Sequence, residues 1–348
     1  MPSQPPLPPL LTPYVSALPE SSLTVVSSIL GATSNWLVLR FLHASLSTSP
    51  SPSASLGFDD LPNGHKRKVV LVSFLRGWEF WKVEAKRLGL DLARLSDKHQ
   101  FAFIDGLSEL FSAPQTAAPI PSRSPISMGN PVRTTVPVRS SPGALPGRTP
   151  PVSAAPTVNS GNTTGGQKEP GIAKKLHFSG QGTAALAALE KDIISVINQQ
   201  KASMESGDEL LLVVDQPDFL LAATGSNMGI GATEMADWIT MLQQQVHATV
   251  LTLAADSPLI HMSTSGNQLS TPTETEHAGF AIGMAHRAQS VMQLRTLETG
   301  AARDVSGVLR ISRGGGWTAE PKEALDEKEL LYYIQRDGGV RVFGRGET

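Results

Sequence analysis

The chain has 348 residues, 40% of them hydrophobic, so it can form a proper core in one large domain or two small ones. It contains no cysteine, which excludes disulfides, zinc sites with thiolate ligands and thiol nucleophiles, and which suits the reducing cytoplasm or nucleus. The net charge of −2 excludes a polycation, so contact with nucleic acid requires a local patch or partner chains.

Two segments have compositions that disfavour packing. Residues 1–20 contain repeated prolines, which interrupt any apolar stretch that a secretory signal would need, and we predict a flexible N-terminal tail there. Residues 113–171 are rich in serine, proline, threonine and glycine, so they cannot bury enough apolar surface to offset an ordering entropy of about 1–2 kcal/mol per residue. We predict a disordered insertion, either a solvated linker or a phosphorylatable arm that attracts RNA weakly.

The first part of the remaining chain alternates between strand and helix patterns. Residues 23–42 match a strand, a glycine-bearing turn and an apolar helix. Residues 68–75 form a continuous apolar run, typical of a strand buried on both faces. Apolar spacings of three and four predict a helix from Trp78 to Leu95, and residues 101–107 predict the next strand.

The alternation continues after the insertion. A helix is predicted over residues 186–196, a strand at "ELLLVVD" (209–215), a helix over residues 235–246 and a strand at "ATVLTLAAD" (248–256). Short alternating segments joined by turns such as "RDGG" follow up to the C-terminus, and these predict antiparallel hairpins.

These elements predict an α/β fold with a mostly parallel, doubly wound sheet that ends in antiparallel hairpins. Residues 21–112 and 172–348 are expected to form it as a single domain split by the insertion. The apolar runs fall short of the ~20 residues of a membrane-spanning helix, so we expect no membrane contact.

The turn after the first strand is the first candidate site. A phosphate cradle needs glycines that turn backbone N–H groups inward, a lysine for the phosphates and a hydroxyl for the metal. Gly31, Thr33 and Ser34 supply one glycine and two hydroxyls, but Asn35 and the bulky Trp36 stand about where the charged and metal-binding residues are needed. We interpret this stretch as a degenerate nucleotide site, with Ser34 or Asn35 near the N-cap of the helix.

Asp215 is the second candidate, because it ends an apolar run as the acidic residue of a Walker B strand does. Such a carboxylate orients Mg²⁺ beside a phosphate loop, and without that loop it has no obvious metal to hold. Pro217 favours a simple turn at the end of the strand instead. We therefore predict no catalytic residue, no cofactor and no metal site.

Four arginines of the C-terminal region are candidate contacts with RNA or with a neighbouring subunit: Arg295, Arg303, Arg310 and Arg313. Alternation places Met292 and Leu294 on the face opposite Arg295, so the basic side chains should point away from the core. An ordinary solvated face has the same pattern, and this alternative stays open.

The polar stretch between Asp256 and Gly279 is long for a loop inside a compact domain, and such loops are usually functional or disordered. In ring ATPases of the predicted strand order, a loop at this place faces the central pore. The histidines have no zinc-ligand spacing, and we interpret Glu276, His277 and His286 as surface and helix polarity.

Four segments, in this order and spacing, resemble the sixth subunit of the Elongator complex: "VVLVSFLRGWEFWKVEAKRLGLDL", "FAFIDGLSELF", "LLLVVDQPDFLL" and "LETGAARDVSGVLRISR". The resemblance covers nearly all of the chain outside the tail and the insertion. It implies a RecA-like fold that lacks the Walker signatures. It also implies a six-membered ring formed with the fourth and fifth Elongator subunits, two copies of each.

The resemblance further implies that this ring binds tRNA and belongs, with the remaining Elongator subunits, to the machinery that modifies wobble uridines. The catalytic chemistry belongs to another subunit, so no catalytic residue is carried over to this chain. Two alternatives stay open. One is a ring NTPase whose degenerate site is completed by a neighbouring subunit, and the other is a protein-interaction scaffold without an RNA role.

Overall fold

The computed structural model of the chain describes residues 7–47, 67–112, 171–225, 228–260, 270–298, 300, 302–318 and 325–346. The helices are α1 (Thr12–Ser16), α2 (Asn35–Leu46), α3 (Trp78–Arg87), α4 (Leu92–Asp97), α5 (Gly182–Lys201), α6 (Asp218–Thr224), α7 (Ala232–Gln243), α8 (Ser257–Ile260) and α9 (Pro272–Arg287). The strands are β1 (Ser22–Ser28), β2 (Arg67–Ser73), β3 (Phe101–Asp105), β4 (Ile172–Lys175), β5 (Glu209–Asp215), β6 (Ala248–Ala254), β7 (Ser290–Arg295), β8 (Gly307–Arg313), β9 (Lys328–Ile334) and β10 (Val340–Gly344). Apart from Gly171, the predicted insertion lies outside the described residues, so its disorder stays a prediction.

These strands form one sheet in the order β10-β9-β8-β7-β1-β6-β5-β2-β3-β4. All neighbours from β7 to β4 pair in parallel, whereas β8, β9 and β10 extend the sheet from β7 by antiparallel pairing. The predicted α/β fold, a mostly parallel sheet followed by antiparallel hairpins, is therefore confirmed.

Helices cover both faces of the parallel strands. On one face α1, α2 and α3 pack into a core that includes Trp36, Phe41 and Trp81. On the other face α5, α7 and α9 contribute a second core, with Trp238 and Phe280 among its buried residues. The central strands β2 and β5 are buried along nearly their whole length, and their sequences are accordingly continuous apolar runs rather than alternating ones.

Residues 7–20 differ from the predicted flexible tail. They contain α1, whose flanking Leu11 and inner Val15 are fully buried. The Tyr14 hydroxyl donates a hydrogen bond of 2.8 Å to the backbone carbonyl of Asp326. Leu11 and Val15 lie four residues apart, so one turn of helix presents both to the core, and this packing orders a segment that its prolines made look unstructured.

The predicted helix from Trp78 to Leu95 is in fact two helices. Gly89 has φ of +80°, a left-handed conformation that glycine adopts without strain, and the chain turns there. Asp91 then caps α4 by accepting a hydrogen bond from the Arg94 backbone N–H at 3.1 Å.

The stretch between Asp256 and Gly279 is also not one long loop. It contains α8 and the start of α9, while residues 261–269 lie outside the described part of the chain. Thr271 and Glu274 form a reciprocal capping box at the start of α9, next to Pro272 in its first turn. Among the described helices none is both long and apolar enough to cross a bilayer.

Candidate functional site

The carboxyl ends of β1 and β6 lie at the point where the strand order of the sheet reverses. The two strands are neighbours, but the chain leaves β1 towards β2 on one side and leaves β6 towards β7 on the other. In open α/β sheets, ligands bind outside the carboxyl ends of the strands at such a switch point. The degenerate nucleotide site predicted from the sequence therefore lies where a nucleotide would bind.

The turn after β1 is too tight to cradle a phosphate. Gly31 has φ of +90°, and Ile29 and Ala32 form a β-bridge across the turn. The Ala32 N–H donates to the Ile29 carbonyl at 2.9 Å, and the Leu30 N–H donates to Asp256 Oδ1 at 2.9 Å. Two backbone donors of the turn are thus already used, and one of them holds a carboxylate, which has the same sign of charge as a phosphate.

The residues that follow the turn serve the start of α2. Ser34 is the N-cap residue and is buried, and Thr33 Oγ1 donates to Asn35 Oδ1 at 2.6 Å. Trp36 is buried in the first turn of α2 and packs on Tyr332 of β9, with ring centroids 4.8 Å apart. Burial raises the pKa of Tyr332 to about 12. The residue after Asn35 is therefore a core indole, which offers the turn neither a basic group for phosphate nor a hydroxyl for a metal.

Asp215 is fully buried at the end of β5, beside Ser73 of β2 in the sheet register. Its carboxylate accepts hydrogen bonds from Ser73 Oγ at 2.8 Å and from Thr252 Oγ1 at 2.9 Å. Arg76 Nη1 lies 3.3 Å and 3.2 Å from the two carboxylate oxygens. Because an ionised carboxylate offers about four acceptor positions, donors from the chain itself fill its capacity.

Arg76 acts as the counter-ion of Asp215. Burial raises the pKa of Asp215, while the charge of Arg76 and the hydrogen bonds from Ser73 and Thr252 oppose this rise. The Arg76 guanidinium also lies over the rings of Phe80 and Trp81, 5.5 Å and 6.0 Å from their centroids. The guanidinium therefore takes the place beside Asp215 that a metal ion would need.

A second buried polar pair lies nearby and differs from the sequence prediction. His277 is buried rather than at the surface, and its Nε2 lies 3.2 Å from Asp218 Oδ2. Its Nδ1 lies 3.3 Å from the Leu259 carbonyl, so both ring nitrogens face acceptors. Glu276 accepts a hydrogen bond from the Ala232 backbone N–H at 2.6 Å. Of Glu276, His277 and His286, only His286 is exposed, as predicted.

Neither a protein-family model nor a curated protein sequence matches the chain. A solved structure does match. The crystal structure of a KaiC-like protein from the hyperthermophilic archaeon Pyrococcus horikoshii OT3 is similar over 98% of each chain, with a TM-score of 0.50 and 11% sequence identity. The fold is RecA-like. The likeness is one of fold, and it confirms that part of the sequence prediction.

Within the RecA-like fold, the turn at Gly31 and the end of β5 at Asp215 are the places where phosphates and Mg²⁺ would be held. The residues present do not fit Mg²⁺-ATP, because the turn is closed on itself and Asp215 is neutralised by Arg76. The described residues also contain no group of three or more histidines and acidic residues placed to hold a metal ion.

The four predicted arginine contacts do not form one cluster. Arg295 and Arg310 lie on the same face of the antiparallel strands, and Arg295 forms ion pairs with Glu298 and Glu329. Arg303 is exposed in the turn between β7 and β8. Arg313, at the end of β8, instead lies over the Trp317 ring, 5.5 Å from its centroid.

Arg76 is the functional residue that sequence reasoning missed. The sequence does contain a pattern that could have pointed to it. A basic residue follows the apolar run of β2, and Asp215 ends the apolar run of β5. Since β2 and β5 are neighbours in the sheet, their carboxyl ends bring the two charges together. Without the strand order, this proximity could not be read from the sequence.

Proposed function

We propose that this chain is a non-catalytic RecA-like subunit, a pseudo-ATPase that keeps the fold for assembly rather than for ATP hydrolysis. One observation carries the proposal: the Walker B-like carboxylate of Asp215 is saturated by Ser73, Thr252 and Arg76. A metal ion would have to displace the Arg76 guanidinium from a fully buried carboxylate, and breaking the pair of a buried charge costs about 3–5 kcal/mol. The closed turn at Gly31 also opposes phosphate binding, because its Leu30 and Ala32 N–H groups already donate to acceptors of the chain itself.

Equilibrium binding of a fluorescent ATP analogue to the purified chain, with and without Mg²⁺, tests this proposal. We expect no saturable, Mg²⁺-dependent binding. Asp215→Asn removes the charge of the Walker B-like carboxylate, and it should give the same fluorescence as the wild type. Saturable binding to the wild type that the variant loses would overturn the proposal and favour the ring NTPase alternative. The same comparison in the assembled ring tests whether a neighbour completes the site.

The carboxyl edge of the sheet supports a role in assembly. Four exposed apolar residues follow strand ends along this edge: Leu30 after β1, Leu75 after β2, Phe111 after β3 and Phe219 after β5. Leu30 is 87% exposed at the tip of the closed turn. Apolar side chains gathered at one edge of a monomer are typical of a surface that a protein partner covers.

We propose, from the resemblance to the sixth Elongator subunit, that the partners are the fourth and fifth subunits of that complex. The resulting six-membered ring would bind tRNA and support wobble-uridine modification in the cytoplasm or nucleus, together with the remaining Elongator subunits. The RecA-like fold supports a ring-forming domain, and the apolar edge supplies a surface for its neighbours.

Co-expression with the two candidate subunits, followed by light-scattering measurement of the mass of the complex, tests the partners. We expect a complex with two copies of each chain. Leu30→Glu should weaken assembly, because it places a charge at the most exposed residue of the apolar edge. Met241→Glu, at an exposed methionine of α7, is the matched control and should assemble normally. A wild-type chain that stays monomeric beside both partners would refute this assignment.

A further inference from the structure

The antiparallel strands have one face that packs on the core and one that does not. In the register, Phe343 pairs with Leu331 and Arg341 pairs with Tyr333, so these four side chains lie on the same face. The alternate residues Leu330 and Tyr332 are buried in the core on the other side. We call the first side the outer face; it also carries Arg310 of β8 and Arg345 just after β10.

The outer face holds an apolar hollow. Leu331, Tyr333 and Phe343 are half-buried and belong to neither hydrophobic core. Together with Asp304 and Val305 they line a cavity of about 560 Å³. Phe343 and Tyr333 are diagonal neighbours on adjacent strands, a relation that places their backbones about 7–8 Å apart. Two aromatic residues on adjacent strands thus line one open hollow.

One arginine lines this hollow, and others lie on the same face. Arg341 stands beside Tyr333, while Arg345 and Arg295 both form ion pairs with Glu329. Arg310 is exposed, as is Arg341, and neither forms a salt bridge within the described part of the chain. The carboxylates at this face, those of Asp304, Glu298 and Glu329, therefore leave two guanidinium groups available to an anionic ligand.

This combination matches the requirements of single-stranded nucleic acid. Unpaired bases stack on aromatic rings, and arginines contact the phosphates that connect them. Duplex RNA offers no free base face to such a platform. An apolar protein surface would cover the rings equally well, but it would bury Arg341 and Arg310 without an anion to pair with them.

We propose that the outer face binds single-stranded RNA, with two unpaired bases stacked on Tyr333 and Phe343 and the adjacent phosphates held by Arg341 and Arg310. The inference deepens the proposed function and rests on its tRNA role, because it assigns RNA contact to specific residues of this chain. These four residues all belong to β8, β9 and β10 of this chain, so the isolated chain should bind RNA without partner subunits or ATP.

Fluorescence anisotropy on the purified full chain tests the inference. The probe is a labelled single-stranded RNA of about 12 nucleotides, within the range of site sizes for single-strand binders. We expect it to bind at least roughly tenfold more tightly than a duplex of the same sequence. Single-stranded DNA of the same sequence, as a competitor, measures how far the 2′-hydroxyl contributes.

Two substitutions separate stacking from simple apolar contact. Phe343→Leu and Tyr333→Leu keep an apolar side chain but remove the ring, and each should lower the affinity for single-stranded RNA by about tenfold. Phe343→Trp keeps a stacking surface and should retain the affinity. Unchanged melting temperatures of the variants establish that the fold is intact.

A charge substitution tests the interaction with phosphate. Arg341→Glu should lower the affinity by roughly tenfold or more. It should also reduce the slope of log K against log salt by about 0.7, the value expected for one neutralised phosphate of a single strand. Lys201→Glu makes the same change of charge at an exposed position of α5 and should leave affinity and slope nearly unchanged.

Three results would overturn the inference. The first is equal affinity for the single strand and the duplex, and the second is wild-type affinity in both leucine variants. The third is that Arg341→Glu binds RNA normally but no longer joins the partner subunits. The last result would make the outer face a protein interface. Conversely, RNA binding with the expected losses in a chain that ignores the Elongator subunits would uphold the outer-face site and refute the assigned assembly.

Discussion

Removing Arg76 is the most direct test of the reasoning about the degenerate site. Arg76→Ala leaves the carboxylate of Asp215 fully buried with only its two hydroxyl donors. Removing the partner of a buried charge costs about 3–5 kcal/mol. The substitution also abolishes the cation–π interaction of the guanidinium with the Phe80 and Trp81 rings, worth about 0.5–1 kcal/mol. We expect the free energy of unfolding to fall by about 3–5 kcal/mol, measured by urea denaturation.

A double-mutant cycle isolates the ion pair from the interaction with the rings. Asp215→Asn should cost about 1–3 kcal/mol, because its amide keeps some of the hydrogen bonds while Arg76 is left without its anion. The double variant should be more stable than the sum of the two losses predicts, by roughly 2–3 kcal/mol. Arg87→Ala is the matched control. Its exposed pair with Glu84 should contribute no more than about 1 kcal/mol.

The pH dependence of the Arg76→Ala variant provides a second check. Burial raises the pKa of Asp215 and Arg76 opposes the rise, so removing Arg76 raises this pKa further. Between the ordinary pKa of 3.8 and the higher native pKa, the native state binds more protons than the unfolded state, so stability falls as the pH rises. The destabilisation of the variant should therefore be largest near neutral pH and shrink towards pH ~4. Additive losses in the cycle, or a destabilisation that does not vary with pH, would refute an ion pair at this position.

Three further substitutions test the packing around the site. Arg40 is buried in α2, and burial lowers its pKa to about 10, which corresponds to a cost on the order of 3 kcal/mol for the charged form. Arg40→Met should raise the free energy of unfolding by about 1–3 kcal/mol, and a destabilised variant would contradict this. Because the pKa is lowered in the folded state, the wild type should gain stability as the pH rises above about 10, whereas the variant should not. Trp36→Ala should cost about 3–5 kcal/mol in urea denaturation, and a loss below about 1 kcal/mol would show that the indole is dispensable. His277→Ala should cost about 1–3 kcal/mol because it leaves the buried Asp218 carboxylate with only the Ala254 backbone N–H as a donor. Adding Asp218→Asn should recover part of that loss, and no recovery would argue against the pair.

The sequence by itself determined the order of elements and the character of the sheet. Continuous apolar runs such as residues 68–75 and 209–215 specify strands buried on both faces, and spacings of three and four specify the covering helices. It also determined that the turn at Gly31 lacks the lysine and the glycines of a phosphate cradle. These features are local, so neighbouring residues are enough to reveal them.

Tertiary structure alone decided which distant residues meet. Arg76 and Asp215 are 139 residues apart, and they pair only because β2 and β5 are neighbours in the sheet. Contacts between distant parts of the chain also explain three other features. These are the packing of Trp36 on Tyr332, the ordering of α1, and the positions of Tyr333, Arg341 and Phe343 on the outer face. Strand order fixes each of these arrangements, and strand order depends on how the whole chain buries its apolar surface rather than on any local pattern.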